Sequence, residues 1–475
     1  MARCAVPMGR QRAELAFGEK IGYREKGLMK TSVMTRRDFV RMSAGAAAAG
    51  AAVKATLLEP PSLAAEVATG GRKIRFASIG TGIRGCDLLR SARQVQTGEC
   101  VGIADLYDMH QKAGVEACGH DVPTTRDYRR YLDDKTIDAV IVATSDHLHR
   151  HIVLDAVAAG KDVYCEKPMS HTVEAGFEMV AAVQANKRIL EVGSNRVSNI
   201  LYRKAAEIYA SGRLGEVHYA EAHMDRDSPS GAGVYPIPPG LTPETVNWKE
   251  FIRDAPPHDF DPVRFVRWRL FKDYGEGLAG DLFVHLLSGF MGVSGINTPP
   301  IRAYSTGGNV RYKDDREFPD VLSTLYDYPG LTLGIHSNMV TNSPEPLIFS
   351  GEEANLTILG NTLTITPADT RPQPERYGLN GWTDALRRQY TDEWYASHTV
   401  APLKITEAES YQTPRGYDDT AAHLANFFRA IETREHVVED EVFGNHAAIA
   451  CHMANYSYFN RAIATWDAAT KTIKG

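Results

Sequence analysis

The sequence predicts an α/β fold that is built on a doubly wound parallel sheet, and three observations support this. Apolar runs typical of strands alternate with helical patterns between residues 73 and 194. A glycine-rich turn follows the first of these runs, and an acidic residue closes the second. With 475 residues, the chain is long enough for two or more domains. Strands that alternate with helices are typical of a parallel sheet with helices on both faces.

The first βαβ unit contains a fingerprint of dinucleotide binding. The strand KIRFASI, residues 73–79, leads into a G-x-G-x-x-G turn, and a helical pattern then leads to the strand ECVGIAD, which ends at Asp105. The turn consists of Gly80, Thr81, Gly82, Ile83, Arg84 and Gly85. Its three glycines would permit a tight turn, let a pyrophosphate approach the backbone, and allow close contact between helix and strand. The N-terminus of the helix would then face the phosphates.

Asp105 is expected to select the cofactor. A carboxylate at this position would accept hydrogen bonds from the adenosine ribose and would repel a 2′-phosphate, so NAD is favoured over NADP. The alternative interpretation is a glycine turn in an α/β core that binds no ligand.

Further strands place more polar residues at the same edge of the sheet. IDAVIVAT, residues 137–144, ends at Ser145, a predicted N-cap for the helix that runs to Ala158. Strands are also predicted at 161–167 and 189–194, with a helix over 173–187 between them. Ligands should lie beyond the carboxyl ends of the strands, at Gly80, Asp105, Thr144 and Lys167.

Composition excludes several classes of function. Residues 1–65 contain 11 Lys and Arg and 5 Asp and Glu, which leaves 42 basic against 54 acidic residues, a net charge of −12, for the rest. This acidic balance argues against a nucleic-acid partner. The six cysteines have no CxxC spacing, so the sequence predicts neither a metal site nor a complete disulfide framework. They are expected to be small core residues.

The N-terminal region indicates export. TRRDFVRM, which begins at Thr35, resembles the twin-arginine consensus, and a weakly hydrophobic Ala/Gly run follows it. We expect an extension over 1–33 and a signal peptide over 34–65, with Ser62-Leu63-Ala64 as a cleavage site. The twin-arginine export machinery would be a partner, and the destination periplasmic or extracellular. The run is too short for a stable membrane span. The alternative is an alanine-rich helix that starts at a basic turn.

Several longer segments resemble one enzyme family. GKDVYCEKPMS at 160–170, TSDHLHRHIVLDAVAAG before it, and GEGLAGDLFVHLL at 275–287 are similar to the Gfo/Idh/MocA oxidoreductases, and the similarity extends from about residue 73 to the end. The resemblance implies an NAD-binding Rossmann domain over 73–194. It also implies an α/β domain over 195–405, with an open, largely antiparallel sheet that forms the substrate floor and often an oligomer interface. Closing helices over 406–475 would pack back on the core.

The resemblance also implies catalytic residues. Lys167 of the EKP motif, which follows Glu166, would lie between nicotinamide and substrate, and the aspartate and histidine of the family correspond to Asp281 and His285. Because these two are four residues apart on a helix, Asp281 could orient His285 as the base. Lys167 would polarise the substrate or relay the proton, and which group takes the proton first stays open. His149 is expected near the nicotinamide, and His147 and His151 on the helix surface.

The predicted activity is hydride transfer between a hydroxyl of a sugar or sugar derivative and a tightly bound nicotinamide cofactor. Candidate substrate contacts are Arg196, Arg267, Trp268, Arg269 and His423; residues 267–269 could equally brace the domain interface. Ser288 stands where many polyol dehydrogenases of the family have an acid, which leaves room for a redox-neutral, NAD-dependent glycosidase. A catalytically inactive sugar-binding protein is the alternative from another class.

Overall fold

The computed structural model describes residues 55–60, 72–368, 371–400 and 407–475. They contain two sheets, of six and eleven strands. The first described strand, β1 (Ala55–Leu57), is an edge strand of the larger sheet.

The smaller sheet is parallel throughout and has the strand order β4-β3-β2-β5-β6-β7. Its strands are β2 (Ile74–Ile79), β3 (Gly98–Ala104), β4 (Thr124–Thr125), β5 (Ala139–Val142), β6 (Asp162–Cys165) and β7 (Leu190–Val192). Its helices are α1 (Ile83–Ala92), α2 (Asp108–Cys118), α3 (Arg129–Asp133), α4 (Asp146–Ala158) and α5 (Val173–Asn186). Every residue of β5 and β6 is buried, as expected when helices cover both faces of a parallel sheet. The predicted Rossmann architecture is confirmed.

The larger sheet is mixed and mostly antiparallel, in agreement with the predicted second domain. Its further strands are β8 (Val217–Asp225), β9 (Arg302–Gly308), β10 (Val321–Tyr328), β11 (Leu331–Asn338), β12 (Pro346–Gly351), β13 (Ala354–Leu359), β14 (Thr362–Pro367), β15 (Glu409–Gln412), β16 (Ala464–Asp467) and β17 (Thr472–Lys474). Only the pairs β8–β11 and β1–β15 are parallel. Buried and less buried residues alternate along β10 and β11 because only one face meets the core.

The described residues after the Rossmann sheet form seven α-helices. They are α6 (Ile200–Ala210), α7 (Trp248–Ile252), α8 (Pro262–Val266), α9 (Val284–Ser294), α10 (Asp384–Ser397), α11 (Asp419–Thr433) and α12 (Glu441–Asn460). Helices α6, α9 and α12 supply most of the helical residues of the largest apolar cluster. No described helix has the length and apolar content that a membrane crossing requires.

The last 70 residues do more than close the core with helices. Helix α11 packs on the Rossmann domain, where the ring of Phe428 stacks on Phe76 with centroids 5.4 Å apart. Strands β15, β16 and β17, which the sequence analysis did not predict, complete the two ends of the larger sheet.

The predicted leader falls mostly outside the described residues. The extension over 1–33, the twin-arginine motif and the cleavage site at 62–64 all lie there. Within the predicted leader, however, β1 pairs in parallel with β15, with Ala55 opposite Ser410, and Leu58 N–H donates to Gln412 O over 2.9 Å. A leader that ended at residue 65 would therefore include a strand of the folded sheet.

Candidate active site

A cavity of about 580 Å³ lies at the carboxyl ends of β2, β3, β5 and β6. Residues of the second domain, from β8 to α9, form its opposite wall. Thirteen of the candidate site residues predicted from the sequence line it, namely Gly80, Gly82, Ile83, Arg84, Asp105, Thr144, Ser145, Glu166, Lys167, Trp268, Arg269, Asp281 and His285.

The three glycines of the turn have different roles. Gly80 has a φ of +87°, and a Cβ there would lie 2.6 Å from the carbonyl oxygen of Ala143. A Cβ on Gly85 would lie 2.0 Å from the oxygen of Gly80, so Gly85 serves helix–strand packing and does not line the cavity. At Gly82 the nearest atom would be a carbon of the His110 ring at 3.6 Å, so a side chain would fit there in the free protein.

Asp105 is held in place by the backbone beside the turn. Its two carboxylate oxygens accept the N–H groups of Thr81 at 2.6 Å and Tyr107 at 2.9 Å. Thr81 is fully buried and does not line the cavity, so its role is to fix Asp105. His110 Nδ1 lies 3.4 Å from Asp105, and although burial lowers the pKa of His110, the Asp105 charge raises it above 6.5 overall. His110, at the start of α2, is a site residue that the sequence analysis missed.

Polar groups along the cavity fit a dinucleotide. Arg84 Nε donates to Glu166 Oε1 over 2.7 Å, and the second terminal nitrogen of Arg84 is buried without a hydrogen-bond partner. Ser145 takes the predicted N-cap position of α4, but its hydroxyl makes no capping bond and is also unpartnered. Unpartnered buried polar groups beside a gap at Gly82 are the features that a phosphate-bearing ligand would satisfy.

Lys167 and Asp281 form the centre of the site. Lys167 Nζ donates to Asp281 Oδ1 and to its backbone oxygen, both over 2.9 Å, and Arg269 Nε donates to Oδ1 over 3.3 Å. Burial acts to raise the pKa of the Asp281 carboxyl, but the two neighbouring cations hold it well below its usual value. Asp281 is therefore an ionised group that binds two cations.

The Asp281 carboxylate forms its ion pair with Lys167, whereas the sequence analysis expected it to orient His285. No hydrogen bond joins the side chains of Asp281 and His285 among the described residues, and the carboxylate binds Lys167 instead. Residues Ala279–Phe283 form a π-helical turn, which is wider than an α-helical turn. The four-residue spacing therefore does not place the two side chains as a regular α-helix would.

His285 lines the cavity as a neutral base. Within the described chain its ring has no hydrogen-bond partner, which leaves it available to a ligand. Burial lowers the pKa of His285 well below 6.5, and the charges of Lys167 and Arg196 lower it further. At neutral pH the imidazole is uncharged and can accept a proton.

Neither His149 nor His147 lines the cavity. His149 is fully buried behind the cavity wall, where its Nδ1 donates to Pro168 O over 3.0 Å, and it does not line the cavity. His147, expected on the surface, packs between Phe251 and Tyr274, and its Nε2 donates to Phe251 O over 2.7 Å. Burial lowers the pKa of both histidines to about 4.

His151 and His423 also differ from expectation. His151 is partly buried at the cavity and lies 2.7 Å from Asp254. His423, a candidate substrate contact, is fully buried away from the cavity. Its ring contacts Ser198 Oγ at 2.7 Å and Val192 O at 2.8 Å, so it joins α11 to the end of the Rossmann sheet.

The remaining substrate candidates separate into two groups. Trp268 and Arg269 line the cavity, with the Arg269 guanidinium 4.2 Å from the Trp268 ring centroid. Arg267 instead braces a loop, because its Nε donates to Tyr235 O over 2.8 Å. Arg196 lies outside the lining and donates to Tyr202 OH over 3.3 Å. Besides His110, polar lining residues that the sequence analysis missed include Asp146, Asn195, Arg226 and Tyr235, and of these four Asp146 alone lay in a quoted motif.

Comparison with known proteins agrees with this geometry. Residues 74–194 match the family GFO_IDH_MocA, described as an oxidoreductase family with an NAD-binding Rossmann fold. Inositol 2-dehydrogenase 2 of Saccharopolyspora erythraea is 32% identical over 170 residues, which are 34% of this chain and 50% of the relative. Inositol 2-dehydrogenase of Paracoccus denitrificans is 37% identical over 128 residues, 26% of this chain and 37% of the relative. The chain spans about half the length, or less, of these curated relatives.

Solved structures extend the similarity of fold to both domains. A levoglucosan dehydrogenase in complex with NADH and levoglucosan has a TM-score of 0.61 at 17% identity, covering 82% of this chain and 99% of that one. An aldose-aldose oxidoreductase from Caulobacter crescentus, in complex with glycerol, has a TM-score of 0.59 at 18% identity, covering 83% and 100%. At such identities the likeness shows the fold.

Proposed function

Because residues 74–194 match the NAD-binding Gfo/Idh/MocA oxidoreductase family, we propose that this protein transfers hydride between a hydroxyl of a sugar or sugar derivative and NAD. The observation that carries the proposal is that one cavity combines dinucleotide-binding features on one side with a cluster of ionisable side chains on the other. The glycine turn and Asp105 lie on the Rossmann side, and Lys167, Asp281 and the uncharged His285 line the part next to the second domain. The similar proteins include an inositol 2-dehydrogenase, a levoglucosan dehydrogenase and an aldose-aldose oxidoreductase, which supports a polyhydroxylated substrate.

The residues of this chain can perform the proton transfer that alcohol oxidation requires. Bound NAD would supply the hydride acceptor. His285 would take the hydroxyl proton, since its imidazole is uncharged and unpartnered. Lys167, already fixed by Asp281, would donate a hydrogen bond to the substrate oxygen and stabilise the negative charge that develops there. Arg269 holds Asp281 from its other side and so keeps Lys167 in position.

Asp105 supports NAD rather than NADP as the cofactor. Its carboxylate lines the cavity, and the Thr81 and Tyr107 N–H groups hold it in one orientation. A ribose 2′-hydroxyl can donate to a carboxylate, whereas a 2′-phosphate would be repelled by it. The affinity for NAD should therefore exceed the affinity for NADP. Asp105→Asn should reduce the difference between these two affinities.

The test uses the purified full chain with NAD and a panel of sugars. An increase in NADH absorbance with a free sugar would support dehydrogenase activity. The loss of this increase in Lys167→Met would assign the activity to this site. Aryl glycosides form the second arm, because release of aglycone without net NADH would indicate the redox-neutral glycosidase. Binding of sugars with neither reaction would identify an inactive sugar-binding protein and contradict the proposal.

We also propose that the protein is exported in a folded state with its cofactor tightly held. The support is the TRRDFVRM motif with its Ala/Gly run, since a twin-arginine route carries folded proteins and nicotinamide cofactors are scarce outside the cytosol. The pairing of β1 with β15 favours cleavage before Ala55 rather than at Ser62-Leu63-Ala64. N-terminal sequencing of the exported protein and assay of copurified nicotinamide test both points. A mature chain that begins after residue 60 would contradict cleavage before Ala55. An exported protein without copurified nicotinamide would contradict the tightly held cofactor.

A homo-oligomer formed through the larger sheet completes the proposal. Tyr304 and Leu325, opposite each other on β9 and β10, are 53% and 52% exposed, and Tyr219 on β8 is 41% exposed. Such a row of apolar side chains is typical of a surface that a partner covers. Light scattering tests this by comparing the molar mass of the wild type with that of Leu325→Glu, which should form fewer oligomers. A monomeric wild type would contradict the proposal.

A further inference from the structure

We infer that the second-domain side of the cavity contains an anion subsite at Arg226, so that the sugar substrate carries a carboxylate or a phosphate group. This inference rests on the proposed function and specifies the class of sugar. It depends on three features of the described residues: the lack of a carboxylate within ion-pair distance of Arg226, the charge balance of the cluster around Asp281, and the geometry of a guanidinium group.

Arg226 lines the cavity at the end of β8 and has no carboxylate partner in the described part of the chain. The only polar contact of its guanidinium there is the sulfur of Met224, at 3.7 Å. The acidic residues that precede and follow Arg226 in the sequence form their hydrogen bonds with other groups. Asp225 accepts Asn338 N–H over 2.9 Å and the hydroxyl of Ser343, while Asp227 pairs with Arg311.

The side chains around Asp281 form a cluster with an excess of positive charge. Lys167, Arg226 and Arg269 are cationic and all act on the ionised Asp281, which accepts hydrogen bonds from Lys167 and Arg269. Two further carboxylates of the lining are bound by other arginines, Glu166 by Arg84 and Glu250 by Arg129 and Arg253. Burial raises the pKa of the Asp146 carboxyl well above its usual value and favours the neutral acid. In this cluster three cations therefore share one anion, Asp281, and a bound anion would balance part of the remaining charge.

The chemistry of the guanidinium group favours an anionic ligand over a neutral one. A planar guanidinium can donate two parallel hydrogen bonds to a carboxylate or a phosphate, and such charge-assisted pairs are stronger than bonds to a neutral hydroxyl. A neutral sugar would leave the positive charge of the wall uncompensated. Carboxylate and phosphate share this chemistry, so matched sugars must distinguish them.

Calorimetric titration measures the preference independently of turnover. The probes are glucose, galactose and mannose, each as the neutral sugar, the uronate and the 6-phosphate, titrated into the NADH-loaded full-length protein. For at least one sugar, the uronate or the phosphate should bind ten times or more tightly than its neutral counterpart. Arg226→Gln should abolish this preference, Arg226→Lys should retain part of it, and Arg302→Gln, an exposed arginine paired with Asp327 on β9 and β10, should leave it unchanged.

The outcomes separate this inference from the proposed function. Equal affinity for neutral and anionic sugars, no affinity for any of them, or a preference that survives Arg226→Gln would overturn the anion subsite. Turnover of neutral sugars with NAD would then still support the dehydrogenase. Conversely, an Arg226-dependent preference without NADH formation from any sugar would support the subsite and contradict hydride transfer.

Discussion

Replacing Gly82 by alanine should weaken NAD binding without unfolding the protein. Gly82 has a φ of −67°, which alanine adopts freely, and its new Cβ would meet only the His110 ring, at an ordinary distance of 3.6 Å. We therefore expect the free energy of unfolding to change by less than about 1 kcal/mol. The same methyl group would project into the cavity where the turn faces the cofactor phosphates.

The loss of NAD affinity follows from the hydrogen bonds that the methyl group would displace. A charge-assisted bond from a backbone N–H to a phosphate contributes about 1.5–3 kcal/mol, so the loss of one corresponds to about a 10- to 150-fold higher Kd. Isothermal titration calorimetry with NAD measures this Kd, and urea denaturation measures the free energy of unfolding.

Gly85→Ala is the matched control for this prediction. Its Cβ would lie 2.0 Å from the oxygen of Gly80, so the backbone must shift, and we expect a destabilisation of about 1–3 kcal/mol. An unchanged Kd in a folded Gly82→Ala variant would refute the assignment of the phosphate site. Equal stability of the two variants would refute the distinction between an open and a packed glycine.

Three further predictions concern the catalytic residues and a buried histidine. Lys167→Met should lower kcat by about 10²–10⁴-fold with NAD affinity retained, and a loss below tenfold would exclude Lys167 from the reaction. Because the pKa of His285 lies well below 6.5, kcat/KM should stay constant from pH 7.5 to 6.5 and fall only at more acidic pH. His285→Gln should abolish this decrease. A decrease in kcat/KM with a midpoint at or above pH 6.5 would contradict the prediction. His149 has a pKa of about 4 in the fold against about 6.5 when unfolded, so the unfolded chain binds the proton first as pH falls, and stability is lost between those values. This histidine should account for up to about 2 kcal/mol of the decrease in the free energy of unfolding between pH 7 and pH 5. Urea denaturation of a folded His149→Gln variant should therefore show a decrease that is smaller by that amount. The same decrease in the variant and the wild type would contradict the prediction.

The Rossmann half of the fold could be predicted because its signals are local. Apolar runs such as 137–144 and the glycine turn at 80–85 are determined by residues a few positions apart, and the strands follow them closely. The carboxyl ends of parallel strands share one edge, so Asp105 and Lys167 could also be placed at one cavity from the sequence.

The partners of the site residues could not be predicted in this way. Lys167 and Asp281 are 114 residues apart, and their pairing depends on how the second domain packs on the first. The spacing of Asp281 and His285 was misleading because a π-helical turn precedes α9. His149 and His423 were assigned from motif and resemblance, and packing against Pro168 and Ser198 makes them buried structural residues.

By itself, the sequence determined that this chain forms a Rossmann domain with a dinucleotide turn, because hydrophobic periodicity and glycine conformation act over a few residues. Only the tertiary structure decided which charges meet: Asp281 binds Lys167 and Arg269, whereas Arg226 faces the cavity and forms no ion pair within the described part of the chain. Charge pairing acts through space between distant segments, so its outcome depends on the packing of the two domains.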